Sequence, residues 1–242
     1  MSVDSDREIE QIRRFYDEEY YSADHLRDTL PWHCRRAAKL IGNVDGKAVL
    51  DVACGLGGWL GYFRERGASV SGIDLSHKAI DVCRGRFPGG DFHVGPAEVL
   101  PFANDSFDVV TCMGSLEHFV DKPKALSEML RVARPGGVFV LLVPNAGFLT
   151  RRMGLYAGTQ QARIREDVQS LAAWQALFEG AGMTVVRRLR DLHPLSWSWI
   201  AMGRPYAWPV RALQAAALAV WPIAWQYQVY HYCERSFPKE TV

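Results

Sequence analysis

The sequence lacks the cysteine spacing of a zinc site, a surplus of either charge, an apolar leader and any internal repeat. Five cysteines, Cys34, Cys54, Cys83, Cys112 and Cys233, are scattered along 242 residues. Their number is odd and no C-x-x-C occurs, so neither a disulfide framework nor a zinc site is expected. Lys and Arg total 28 against 27 Asp and Glu, a formal net charge of +1. That balance excludes a protein that works mainly by coating nucleic acid. The opening MSVDSDREIEQIRRFYDEEYY is charged and has no apolar h-region, so the expected location is cytoplasmic. Hydrophobic residues make up 48%, enough for a large core, which excludes disorder as the main state.

The residues that are present alternate in period. Residues 7 to 40 read as helix, with Ile9, Ile12, Phe15 and Tyr16 at helical spacing, a break at Ser22, then Leu26, Leu30, Cys34, Ala37, Ala38 and Ile41. KAVLDVACG is a short apolar run that predicts a buried parallel strand. GGWLGYFRERG predicts a helix stopped at Gly67. ASVSGIDLS, DFHVG, FDVVTCMGS and VFVLLVPN read as further strands. HKAIDVCRGRF and KPKALSEMLRVARPGG read as helices, the latter ended by Pro135, Gly136 and Gly137. The resulting β-α-β-α-β-β-α-β order predicts a doubly wound α/β sheet. Later, SLAAWQALFEGAG predicts a helix, MTVVRRLRD a sixth strand and AWQYQVYHYCER a last one.

The sharpest local signal is VLDVACGLGGWL, residues 49 to 60, a strand running through a glycine turn into a helix. Gly55 and Gly57 would let a ligand approach the backbone, and the helix N-terminus offers free N–H groups. Asp74 ends the next strand, about twenty residues on, where a carboxylate can accept two bonds from a ribose diol. A tight turn with an acidic strand end would read the same way. A dinucleotide site wants G-x-G-x-x-G, but Leu60 stands at the third glycine position and Trp59 crowds the pyrophosphate space. An oxidoreductase is therefore disfavoured. Asp51, just before the loop, repels phosphate and suits an ammonium group.

Together with PAEVLPFANDSFDVVTCMGSLEHF, VARPGGVFVLLVPN and LFEGAGMTVV, these residues make the chain resemble class I S-adenosylmethionine-dependent methyltransferases. The resemblance extends in order from residue 48 to about 190. Within the class it resembles in particular the broad small-molecule group that includes ubiquinone and menaquinone biosynthesis enzymes. It implies a single domain over 1–242 with a mostly parallel, seven-stranded, Rossmann-like sheet. Residues 1–43 would be an N-terminal helical cap, 44–190 the cofactor-binding core, 191–224 a lid insertion and 225–236 the last strand, antiparallel between two others.

The resemblance also implies roles. Asp51, Ala53, Gly55 and Gly57 would surround the methionine end of S-adenosyl-L-methionine, with Asp51 on its amino group. Asp74 would hold the ribose and Leu75 would lie against the adenine. Ala97 and Glu98 would lie at the adenine edge, and Met113 would line the cofactor through its backbone. Ala53 stands where the family often has the first glycine. Pro96 replaces an Asp that often binds the adenine amino group, leaving Glu98 or a carbonyl to do so. S-adenosyl-L-homocysteine would be the product.

Methyl transfer is an in-line displacement whose chief demand is alignment in a dry pocket. His118 and Glu117 follow the fourth strand and are candidates for a general base, although His118 there can equally cap the next helix. Some quinone-pathway relatives bind a divalent ion with a Glu–x–x–Glu–His cluster at this place, but Gly114 replaces the first Glu, so no metal is expected. Tyr16, Tyr20 and Tyr21 of the N-terminal FYDEEYY would touch the sulfonium or the acceptor, or form a buried aromatic stripe.

From Ala212 to Cys233 no Asp, Glu, Lys or Arg occurs, but Pro222 and three glutamines argue against a membrane span. With Trp197, Trp199, Tyr206 and Trp208 before it, this segment reads as a lid over an apolar or aromatic acceptor, as simple packing, or as a peripheral membrane contact, which is less favoured. A small-molecule acceptor is expected and no nucleic-acid partner. The alternatives are an RNA (tRNA) methyltransferase using Arg151, Arg152, Arg163, Arg165, Arg187, Arg188 and Arg190, or a non-catalytic cofactor-binding subunit.

Overall fold

The structure, a computed structural model, describes residues 3–21, 29–152, 166–201 and 204–236. It begins with helix α1 (Val3–Phe15), which passes into a π turn over Tyr16–Tyr20 closed by the Tyr21 N–H on the Tyr16 carbonyl at 3.0 Å. Helix α2 (Trp32–Lys39) follows. The single helix expected over 7–40 is therefore interrupted: residues 29–31 are not helical, and Ser22 and Leu26 lie outside the described residues.

The core alternates β1 (Ala48–Val52), α3 (Gly58–Arg64), β2 (Ser69–Asp74), α4 (His77–Arg86) and β3 (Asp91–Val94). Then come β4 (Phe107–Met113), α5 (Lys122–Val132), β5 (Ala133–Pro144) and α6 (Leu149–Arg152). Helix α7 (Leu171–Gly180) and β6 (Met183–Arg190) follow. Helix α5 is capped by Asp121, whose carboxylate accepts the Lys124 N–H at 3.0 Å. It stops at Val132, five residues before the expected stop at Gly137. Pro135 disfavours helical backbone at Arg134 before it, and Ala133 is already extended and paired with Phe107.

Strand order is β3-β2-β1-β4-β5-β7-β6, where β7 is Gln228–Arg235. The first five strands pair in parallel, and β7 runs antiparallel to both β5 and β6. This is the seven-stranded doubly wound fold expected. Alternate residues of the strands face opposite layers. Leu50, Val52, Val110 and Phe139 pack with Met129, Trp174 and Phe178 in one layer, whereas Val49 and Val109 pack with Leu60, Phe63 and Ile80 in the other. Each such side chain stabilises the fold by about 1.5–3 kcal/mol. Strand β7 is buried on both faces rather than alternating, because strands flank it and helices cover it.

Between β6 and β7 the chain forms short helices, chiefly α8 (Trp197–Ile200) and α9 (Trp208–Val220). Both ends of this segment are anchored. His33 Nδ1 lies 3.2 Å from Asp191 Oδ1 at one end, and Asn145 Nδ2 donates to the Ala224 and Gln226 carbonyls at the other. The apolar run from Ala212 is divided between α9 and β7. Among the described residues, no helix is long and apolar enough to cross a membrane.

Candidate functional site

The strand order reverses between β1 and β4, which opens a crevice at the carboxyl ends of the strands. The loop after β1 fills it. Ala53, Gly55 and Gly57 all have positive φ, at 58°, 52° and 76°. An L-residue in that region costs about 1–2 kcal/mol, a strain that Ala53 bears and the two glycines avoid. The two glycines serve different neighbours. A Cβ on Gly55 would come within 2.8 Å of the Tyr21 hydroxyl. One on Gly57 would come within 2.6 Å of Phe87 and 3.0 Å of Cys83. Gly57 thus packs against α4 and its end, and the space beside it is taken by protein.

Asp74 ties this loop to the next one. Its Oδ2 accepts the Gly55 N–H at 2.8 Å and its Oδ1 the Ser76 N–H at 2.9 Å. A carboxylate has about four acceptor positions, so the two oxygens keep capacity for a diol. Burial raises Asp74 to about 6, against the pull of the Ser76 and Gly55 amides. Asp51 accepts the Thr111 hydroxyl at 2.6 Å. Burial pushes it to about 7; Thr111 opposes the rise and the nearby Asp74 adds to it.

The N-terminal helix closes the crevice. Its π turn adds a residue to the turn and gathers three phenols: the Tyr16–Tyr20, Tyr20–Tyr21 and Tyr16–Tyr21 ring centroids are 5.3, 5.1 and 5.8 Å apart. Asp17 fastens the turn to the strand end below, taking the Ser76 hydroxyl at 2.6 Å. Burial works upward on Asp17, but the bonds from Ser76, Lys78 and His77 outweigh it and hold the carboxyl below its ordinary range. Burial drives the Tyr21 phenol well above its ordinary value. It is a neutral hydroxyl at neutral pH and not a proton acceptor.

A cavity results, and twelve of the fourteen expected site residues line it: Tyr16, Tyr20, Tyr21, Asp51, Ala53, Gly55, Asp74, Leu75, Ala97, Glu98, Met113 and His118. Gly57 and Glu117 do not. Glu98 Oε1 accepts the Val120 and Asp121 N–H groups, both at 3.0 Å, so one of its oxygens holds the turn before α5. Glu117 lies behind His118, with Oε1 4.0 Å from His118 Nε2. Its Oε2 is buried and has no hydrogen-bond partner among the described residues. Burial lifts Glu117 to about 8, with its own N–H and Lys122 lowering it and Glu166 raising it. Cys54 also lines the cavity, and its bond with Cys83 together with burial keeps it a thiol.

Ile9, Ile12, Phe119 and Val120 complete an apolar side that the sequence reading missed. The spacing of Ile9, Ile12 and Tyr16 carried the signal, but it is equally that of a core stripe. Among the described residues, no lining residue is Lys or Arg and none comes from 191–224, so the described part of the expected lid does not border this cavity. Of the arginines grouped for RNA, Arg163 and Arg165 lie outside the described residues, and Arg188 donates to Gln175 at 2.8 Å in α7. Among the described residues, no group of three His, Cys, Asp or Glu side chains is placed to hold a metal ion.

Comparison with known proteins matches residues 50–141 to a family described as a methyltransferase domain. The demethylmenaquinone methyltransferase of Renibacterium salmoninarum is 36% identical over 141 residues, which cover 56% of this chain and 60% of that protein. The phthiotriol/phenolphthiotriol dimycocerosates methyltransferase of Mycobacterium leprae is 42% identical over 99 residues, 39% of this chain and 37% of that protein. The match thus spans less than two thirds of these curated relatives. A solved S-adenosylmethionine-dependent methyltransferase of Mesorhizobium loti shares the fold. Its TM-score is 0.62 at 18% identity, over 84% of this chain and 98% of that one. Residues 50–141 therefore match a methyltransferase-domain family, and the chain is similar to S-adenosylmethionine-dependent methyltransferases in sequence over that stretch and in fold.

Proposed function

We propose that the protein transfers a methyl group from S-adenosyl-L-methionine to a small apolar or aromatic molecule. The observation that carries this reading is the charge of the cavity: two buried acids, Asp51 and Asp74, both raised, with no lysine or arginine among the described lining residues. Such a wall repels phosphate and is neutralised by a cation. Asp51 would take the ammonium group and Asp74 the ribose hydroxyls. Leu75 and Ala97 would flank the adenine, with Glu98 at its edge through its second oxygen. Gly55, Ala53 and the Met113 backbone would border the tail. The Tyr21 ring would face the sulfonium, an aromatic surface against a cation. When bound, the cofactor supplies an activated methyl group.

The chain's own task is then to align the acceptor and keep water out. Ile9, Ile12, Tyr16 and Phe119 offer an apolar wall for that purpose, in keeping with relatives named for quinone and lipid substrates. His118, which lines the cavity, would take the acceptor's proton, with Glu117 behind it as a positioning residue. Incubation with methyl-labelled S-adenosylmethionine and a fractionated metabolite extract tests this. Label should appear in an apolar fraction, and His118→Ala should abolish it while cofactor affinity persists. Label confined to RNA, or to nothing, would refute the reading.

A further inference from the structure

Helix α9 presents the wrong face to water. A surface helix normally turns an apolar stripe inward and charges outward. Here Ala215 is the buried residue, while Val210, Leu213 and Val220 are 69, 74 and 75% exposed. Pro209, Ala212 and Ala216 are exposed beside them, and the helix carries one charge, Arg211. Trp197 and Tyr206, at 67 and 75% exposure, extend the patch. Of the ten large hydrophobic residues exposed among the described residues, six lie between Trp197 and Trp225. Scattered apolar residues on a surface are ordinary, but a concentration of this kind marks a contact.

The charges on this segment favour one kind of contact. No Asp or Glu occurs between Asp191 and Glu234, and the charged residues there are Arg204 and Arg211. Arg204 is exposed. The Arg211 guanidinium lies 4.1 Å above the Trp199 ring, and its Nε donates to the Trp199 carbonyl at 2.9 Å. Five of the chain's eight tryptophans, Trp197, Trp199, Trp208, Trp221 and Trp225, are in this stretch. Tryptophan and arginine around an aliphatic stripe match the headgroup level of a bilayer, where indole sits at the boundary and arginine meets lipid phosphate. A second copy of this face would oppose arginine to arginine with no acid to pair them. At 13 residues, α9 rises about 20 Å, too short to cross a bilayer but suited to lying on one.

We propose that the α8–α9 face docks peripherally on a membrane surface containing anionic phospholipid, with Val210, Leu213 and Val220 entering the acyl boundary. The proposal does not depend on the methyl-transfer reading, because none of these residues lines the cavity.

Flotation of the full chain with vesicles tests it. One set is phosphatidylcholine alone, and the other has phosphatidylglycerol added. The chain should float with the anionic vesicles, less so at high salt, and its tryptophan emission should shift to the blue. Leu213→Glu combined with Val220→Glu should lower the partition about tenfold or more. Since both side chains face water, the unfolding temperature without vesicles should stay unchanged, which separates lost docking from lost folding. Absence of flotation at low salt would overturn the proposal, as would equal flotation of the double variant. A dimer seen by analytical ultracentrifugation, abolished by the same variant and without flotation, would assign the face to self-association instead.

Discussion

The cavity at the strand ends and the α9 face break the usual partition of residues in opposite ways. The cavity buries acids: Asp51, Asp74 and Glu98 in its lining are 2, 6 and 3% exposed. The α9 face exposes aliphatic and aromatic side chains. Each arrangement costs free energy in the isolated chain, through desolvation in one case and hydration of apolar surface in the other. Elsewhere among the described residues the sheet carries an ordinary apolar layer on either side. The two exceptions therefore mark where the chain is incomplete by itself, and the chemistry of each cost names its remedy. Buried carboxyls call for a cation, and exposed aliphatics call for an apolar boundary.

Asp51→Asn should break the cavity side most severely. It should weaken S-adenosylmethionine binding by about 1.5–3 kcal/mol, the scale of a bond to a charged group. It should also make the ligand-free protein more stable. Because the folded-state pKa of Asp51 is raised to about 7, the native form gains stability below the unfolded value near 4 and loses it as pH rises to about 7. An asparagine does not titrate, so the variant's advantage should grow across that window to roughly 2–4 kcal/mol and vanish at low pH. Thermal melts at several pH values check both trends.

Asp17→Ala should have a smaller effect. It releases the π turn from Ser76 without touching the cavity lining. Cofactor affinity should fall by about 1 kcal/mol, as for one hydrogen bond, and protease should cut nearer Tyr16 at lower doses. Calorimetry and limited proteolysis measure the two. Leu213→Gln should do least to the isolated protein: within about 0.5 kcal/mol of the parent by denaturant unfolding, as for exposed sites generally. A large loss there would mean that α9 is packed against the body rather than turned outward, and the contrast between the two regions would disappear.

Much of the cavity is legible in the sequence because it is local. A strand, a loop with left-handed residues at 53, 55 and 57 and a helix N-terminus lie within residues 48 to 60, and Asp74 ends the adjacent strand. The π turn at Tyr16–Tyr20 is not legible, since an i to i+5 bond has no propensity signal and the turn is held by the distant Asp17–Ser76 bond. The role of Gly57 was assigned to a ligand, whereas Phe87 and Cys83 fill the space beside it, and that contact crosses about thirty residues. Helix α9 shows the limit most plainly. A helix with one charge and one glutamine among apolar residues carries little mark of which face is inward, so the sequence reads it as a lid, as simple packing or as a membrane contact. In the structure it packs with α8 and the turns around it.

The central claim is that the cavity selects a cationic nucleoside through Asp51 and Asp74. Isothermal titration of S-adenosylmethionine into the purified chain, from about pH 5.5 to pH 7.5, tests it most directly. Both acids are held protonated at the low end, and a cation favours their ionised forms, so affinity should rise about tenfold or more across the range. The heat should depend on the buffer, reporting protons released. A flat affinity with no proton release, or tighter binding of an anionic dinucleotide, would contradict the account.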